Sequence, residues 1–168
     1  MLNLANMCYF GCRMYRFRVV RVSGGKTGPL DEMADSFATR LAPYAKLERV
    51  NVKETAFRSE SDRPRVLAEE AEKIRKQMVG TVIILGEHGK TFDSKAFSKK
   101  LDEWARQGAE PVTFIMGGPL GYDRALEKEA TAVLSLSPLT FPHDLAHLLL
   151  LEQLYRACTI NTGKTYHY

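Results

Sequence analysis

The sequence predicts an α/β domain with a largely parallel sheet. Segments with strand and helix spacing alternate along the whole chain. One of them, Thr81–Leu85, is a short apolar run of the kind found in strands buried on both faces. Loops rich in Gly or Pro follow the strands, where ligands of such sheets bind. At 168 residues and 19.0 kDa the chain makes one ordinary domain. Patterning starts at Met14, so residues 1–13 read as a poorly ordered extension and 14–168 as the domain.

The elements follow in order. Arg16–Val22 alternates and is rich in Val, which predicts the first strand. Ser23–Pro29 is a Gly-containing loop, and Leu30–Leu41 has helical spacing. Lys46–Val52 alternates again as a second strand, and Lys53–Asp62 is a polar exposed loop. Pro64–Met78 is a helix with Pro in its first turn. Thr81–Leu85 is the third strand and Gly86–Lys90 a loop. Asp93 or Ser94 caps a helix that runs to Arg106 and ends at Gly108. Val112–Met116 is the fourth strand, Asp123–Ala132 a short helix and Val133–Leu136 the fifth strand. After the loop Ser137–Pro142 comes a long helix, His143–Ile160, and a polar tail.

Composition narrows the function classes. Hydrophobic residues at 45% and charged residues at 26% exclude disorder and fibrous repeats. No apolar run approaches a bilayer span, so no membrane partner is expected. Three cysteines without a secretory signal point to a reducing, cytoplasmic compartment, with Cys158 a buried apolar residue. The net charge of +4 is mild. Its basic part gathers at Arg13, Arg16, Arg18, Arg21 and Lys26, either as solvated edge-strand residues or as a footprint for a phosphate backbone.

Several motifs are excluded. Gly-Lys-Thr occurs at Gly25–Thr27, Gly89–Thr91 and Gly163–Thr165, but Val20, Ile84 and Cys158 stand where a P-loop needs its first Gly. Gly117-Gly118-x-x-Gly121 is not the dinucleotide fingerprint, which argues against a nicotinamide-dependent oxidoreductase. Two adjacent glycines serve either a tight turn or the close approach of a ligand. His143 and His147 share a helix face without a zincin Glu, so a capping His143 is preferred to a metal site. The last helix is apolar around nearly its whole circumference, which predicts a subunit interface as well as a core. On it Glu152 and Arg156 have the spacing of an ion pair.

Three blocks, ILGEHGKTFDSKAF, TFIMGGPLGYD and LSLSPLTFPHDLAHLLLLEQLYRACTINTGKTYH, resemble in order and spacing the RlmH (YbeA) family. These are SPOUT-class methyltransferases of bacterial large-subunit ribosomal RNA. The resemblance runs from Met14 to His167 and is strongest from Val82 onward. It implies an α/β knot formed by the C-terminal segment, a homodimer, and methylation of N3 of a pseudouridine in 23S rRNA within the ribosome. It implies S-adenosylmethionine as methyl donor and no metal. By position the donor pocket falls on Leu85, Gly118, Ser137, Pro138, Leu139, Thr140, Phe141 and Pro142. The substrate side falls on Glu152, Arg156, Tyr166 and His167. His167 is the implied base or proton relay, and Arg156, oriented by Glu152, stabilises the anion. Tyr166 stacks on the base or hydrogen-bonds it. Tyr168 replaces the family's terminal basic residue. The competing expectation is a knotted RNA-binding module without activity.

Overall fold

A computed structural model of the chain describes residues 14–25 and 28–164. Residues 1–13, and with them the expected extension, lie outside it. The strands are β1 (Tyr15–Ser23), β2 (Ala45–Lys53), β3 (Thr81–Lys90), β4 (Val112–Met116) and β5 (Ala132–Leu134). The helices are α1 (Pro29–Leu41), α2 (Arg63–Arg75), α3 (Ser94–Gln107) and α4 (His143–Asn161). One sheet holds all five strands in the order β2-β1-β4-β3-β5, and every pairing is parallel.

Both sheet faces are covered, as a parallel sheet requires. Phe17, Val19, Phe114 and Ile83 pack beneath α1, α3 and α4. Val20, Val22, Ile84 and Ile115 pack on the other face with Ala71 and Ile74 of α2. Adjacent strand residues therefore go to opposite layers, and both are buried. Asp93 caps α3 by accepting from the Ala96 N–H at 2.7 Å.

α4 lies between α1 and α3, packed on both. Leu148, Leu150, Leu151, Leu154, Ala157 and Cys158 are buried within this one chain. Much of the apolar circumference is thus covered within the chain, as suits a helix in the middle of a three-helix layer, while Leu145, Leu149 and Ile160 stay partly exposed. Pro142 is the N-cap residue of α4 and no side chain caps it, which corrects the capping role expected of His143.

Three local expectations also change. Gly86–Lys90 is not a loop: it continues β3, with a register shift where Leu85 and Lys90 both face Leu134. Asp123–Ala132 forms only a 3₁₀ turn, Arg124–Lys128, because β5 starts at Ala132. The loop before α2 contains a 3₁₀ turn at Glu60–Asp62.

The basic stretch of β1 is not on an edge strand. β1 is flanked by β2 and β4. Arg18 donates to Glu48 at 2.8 Å and to Gln77 at 2.5 Å, and Arg16 stands 3.7 Å from Glu110. Among the described residues no helix is long and apolar enough to cross a membrane.

Candidate active site

A cavity of about 870 Å³ opens at the C-terminal ends of β4 and β5, marked by Met116 and Leu134, and beside the register shift of β3 that begins after Leu85. Arg63 and Leu67 of α2 border one side, and His143 and Ala146 of α4 the other. Its position follows from the sheet: parallel strands direct their following loops to one edge, and helix N-termini gather there.

The loop after β4 is a tight turn. Gly118 and Gly121 exchange backbone hydrogen bonds of 3.1 and 2.9 Å, and Gly121 takes the left-handed φ of 87°. A Cβ on Gly118 would lie 3.1 Å from Val22 Cγ1 and 3.3 Å from Glu70 Oε2. The turn is thus established, its inner side is closed by Val22 and Glu70, and the same residue borders the cavity. Behind it Glu70 is buried, and desolvation raises its pKa. Its Oε1 accepts from the Thr55 N–H at 2.8 Å.

The loop after β5 is tied to itself. Ser135 Oγ donates to the Ser137 carbonyl at 2.9 Å, and the Leu139 N–H donates to Ser137 Oγ at 3.0 Å. Leu139 stands 70% exposed at the rim.

Of the residues expected in the donor pocket, Leu85, Gly118, Ser137, Leu139, Thr140, Phe141 and Pro142 border the cavity. Pro138 does not, although it lies in the same loop. Glu152 and Arg156 form the expected pair, with Arg156 Nη2 2.6 Å and Nε 2.9 Å from Glu152 Oε1. Neither borders the cavity: Glu152 is nine residues beyond His143, about 14 Å along the helix. Tyr166, His167 and Tyr168 lie outside the described residues.

A second polar group flanks the α4 entry. Arg21 Nη1 lies 2.8 Å from Asp31 Oδ1, 3.3 Å from Asp144 Oδ1 and 3.4 Å from His147 Nδ1. Burial opposes ionisation of Asp31, but hydrogen bonds from Arg21 and the Gly28 N–H outweigh it and hold its pKa down. His147 is pushed down to about 4 by burial and then by the nearby Arg21 and Arg49 charges. A guanidinium only donates, so His147 Nδ1 accepts and the ring proton sits on Nε2. That contact takes His147 out of the metal pair considered with His143.

Three further residues escaped the sequence reading. Tyr122 Oη donates to Glu127 Oε1 at 3.1 Å, and His88 Nε2 meets the same oxygen at 3.0 Å. Tyr122 and His88 both border the cavity. Burial, reinforced by the Glu127 charge, raises the Tyr122 pKa. The available signal was the pair of glycines around His88, which read as a loop.

Comparison with known proteins agrees with this geometry. The family described as "Predicted SPOUT methyltransferase" matches residues 15–167. A protein of Natranaerobius thermophilus named ribosomal RNA large subunit methyltransferase H is 37% identical, over 91% of this chain and 99% of that protein. Its namesake in Thermodesulfovibrio yellowstonii is also 37% identical, over 92% of this chain and all of the other. Among solved structures, a probable methylase family protein from Haemophilus influenzae superposes with a TM-score of 0.56. It covers 90% of this chain and 70% of its own at 12% identity, a likeness of fold alone. Family match and relatives span nearly the whole chain, so the chain belongs to the SPOUT methyltransferases, in the group of the ribosomal RNA large subunit methyltransferase H proteins.

Proposed function

We propose that the protein transfers a methyl group from S-adenosylmethionine to N3 of a pseudouridine in 23S rRNA of the ribosome, in the cytoplasm and as a homodimer. The observation that carries this reading is the cavity. At about 870 Å³ it lies within the usual range of small-molecule sites. Its walls combine apolar side chains, Met116, Leu134 and Phe141, with the backbone of two loops, a surface suited to a nucleoside thioether. The bound donor supplies an electrophilic methyl on a sulfonium. In this reading the Ser137–Pro142 loop offers main-chain groups to the adenine edge, and Gly118 lets the backbone approach it. In this reading the C-terminal segment beyond β5 forms the expected knot around the donor.

The acceptor nitrogen belongs to an imide and must lose its proton, leaving an anion spread over the flanking carbonyl oxygens. His167 takes that proton, Arg156 faces the anion while Glu152 holds its guanidinium, and Tyr166 stacks on the base. No metal enters these roles. In the homodimer, the distance of Arg156 from its own cavity is met by an approach from the partner copy.

The test is transfer of labelled methyl from S-adenosylmethionine to whole ribosomes, separated subunits and naked rRNA, followed by nucleoside mass spectrometry. N3-methylpseudouridine in the large-subunit RNA is the expected product. Donor binding without methyl transfer to any of the three would favour the silent RNA-binding module. Light scattering at micromolar concentration should give a dimer; a monodisperse species of 19.0 kDa would remove the partner from this reading.

A further inference from the structure

The segment Gly86–Gly89 carries a feature that the methyl-transfer reading leaves unused. Where β3 shifts register against β5, it turns a histidine back along the cavity wall. Backbone contact requires the glycine at 89, and side chains crowd the one at 86. A Cβ on Gly89 would lie 2.7 Å from the backbone of Val133 and Leu134. One on Gly86 would lie 2.4 Å from Tyr122 Oη and 3.2 Å from His88 Cε1. Bulges of this kind commonly re-aim a side chain beside a site.

The histidine is held from one side only. Glu127 Oε1 receives Tyr122 Oη at 3.1 Å and His88 Nε2 at 3.0 Å, and Arg124 Nε stands 3.7 Å from the same oxygen. A carboxylate can only accept, so the neutral His88 ring carries its proton on Nε2. Nδ1 then keeps its lone pair and makes no hydrogen bond among the described residues. The His88 side chain is 41% exposed and borders the cavity.

We propose that His88, its tautomer set by Glu127, is a binding residue of the cavity whose Nδ1 accepts a hydrogen bond from an N–H group of the bound nucleoside. Glu127 is the positioning residue, and Tyr122 holds it in place. The inference rests on the reading of the cavity as the methyl-donor site. Two groups of the donor have the required chemistry: the exocyclic amine of adenine and the α-ammonium of the amino-acid portion.

The test measures binding of S-adenosylhomocysteine and 5′-methylthioadenosine to the full chain by calorimetry. His88→Phe keeps a ring and removes the acceptor; a roughly 3- to 10-fold loss of affinity is expected, the worth of one neutral hydrogen bond. His88→Asn places a carboxamide oxygen near the position of Nδ1 and should recover most of it. A loss with both ligands assigns the contact to the adenine amine, and a loss with S-adenosylhomocysteine alone assigns it to the α-ammonium. Nitrogen-15 spectra of the wild-type ring should show the proton on Nε2. Glu127→Gln offers an amide that can donate to Nε2, so part of the population should move to the Nδ1–H form. Unchanged affinity in folded His88→Phe, or a wild-type ring protonated on Nδ1, overturns the inference while leaving the donor reading intact. No binding of either ligand by the wild-type protein overturns both.

Discussion

Arg21 offers one guanidinium nitrogen to acceptors from α1 and α4, and this places His147 in a setting that rejects a proton. The ring is buried, so charging it costs solvation and sets two cations side by side. The sign of the pH effect follows. With a folded pKa of about 4 against an ordinary 6.5, the unfolded chain binds more protons in that window. Stability is complete above pH 6.5 and falls as pH drops toward 4, by about 3 kcal/mol for a shift of this size. Urea unfolding of the wild type and of His147→Gln at pH 7, 5.5 and 4.5 should show a smaller loss in the variant. A second prediction at this scale concerns Gly118. Valine there presses on Val22 and Glu70 from behind and forces the turn into the cavity. Gly118→Val should abolish measurable S-adenosylmethionine binding in calorimetry while circular dichroism stays native. Gly118→Ala should weaken binding less.

At the scale of elements, the irregularity in β3 is held by backbone contact rather than by side chains. Gly89→Ala sets a methyl against the β5 backbone and should cost about 1–3 kcal/mol by denaturant unfolding. The same substitution should weaken donor binding, because β5 leads directly into Ser137–Pro142. This element also shows what was legible in the sequence. Thr81–Leu85 announced a buried strand by its unbroken apolar character, but the glycines after it carry no sign that pairing resumes at Lys90. Glycine marks a loop and a bulge alike, and only the neighbouring strand decides between them. α4 was legible only in part for a related reason. Apolar spacing reports that a helix is covered, while what covers it, here α1, α3 and the sheet, is a tertiary fact. The Glu152–Arg156 pair was legible because its partners are four residues apart on one helix. Its separation from the cavity was not, because that depends on where α4 enters the fold. The His88–Glu127 contact joins residues 39 apart, beyond any local pattern.

At the scale of the molecule, the cavity wall formed by the described residues comes from three strands, two loops and two helix ends within residues 63–146. With the described core and cavity wall drawn from residues before 165, deleting residues 166–168 should leave fold and S-adenosylmethionine affinity intact. Methyl transfer to ribosomes should fall by roughly 10²–10⁴, the contribution of a positioned acid–base group. Replacing Tyr168 alone should matter much less, and a truncated protein with full activity would leave His167 and Tyr166 without a role. The pairing of β1 arginines with carboxylates has a consequence of another kind. A polyanion releases its condensed counterions into solution when unpaired cations of a protein replace them, and the affinity then drops steeply with added salt. Arg16, Arg18 and Arg21 already have Glu110, Glu48 and Asp31 beside them and would contribute little to such release. The logarithm of RNA affinity against that of salt concentration should accordingly have the same slope for Arg18→Gln as for the wild type. Arginines paired in this way leave the phosphate density of a target little purchase on β1.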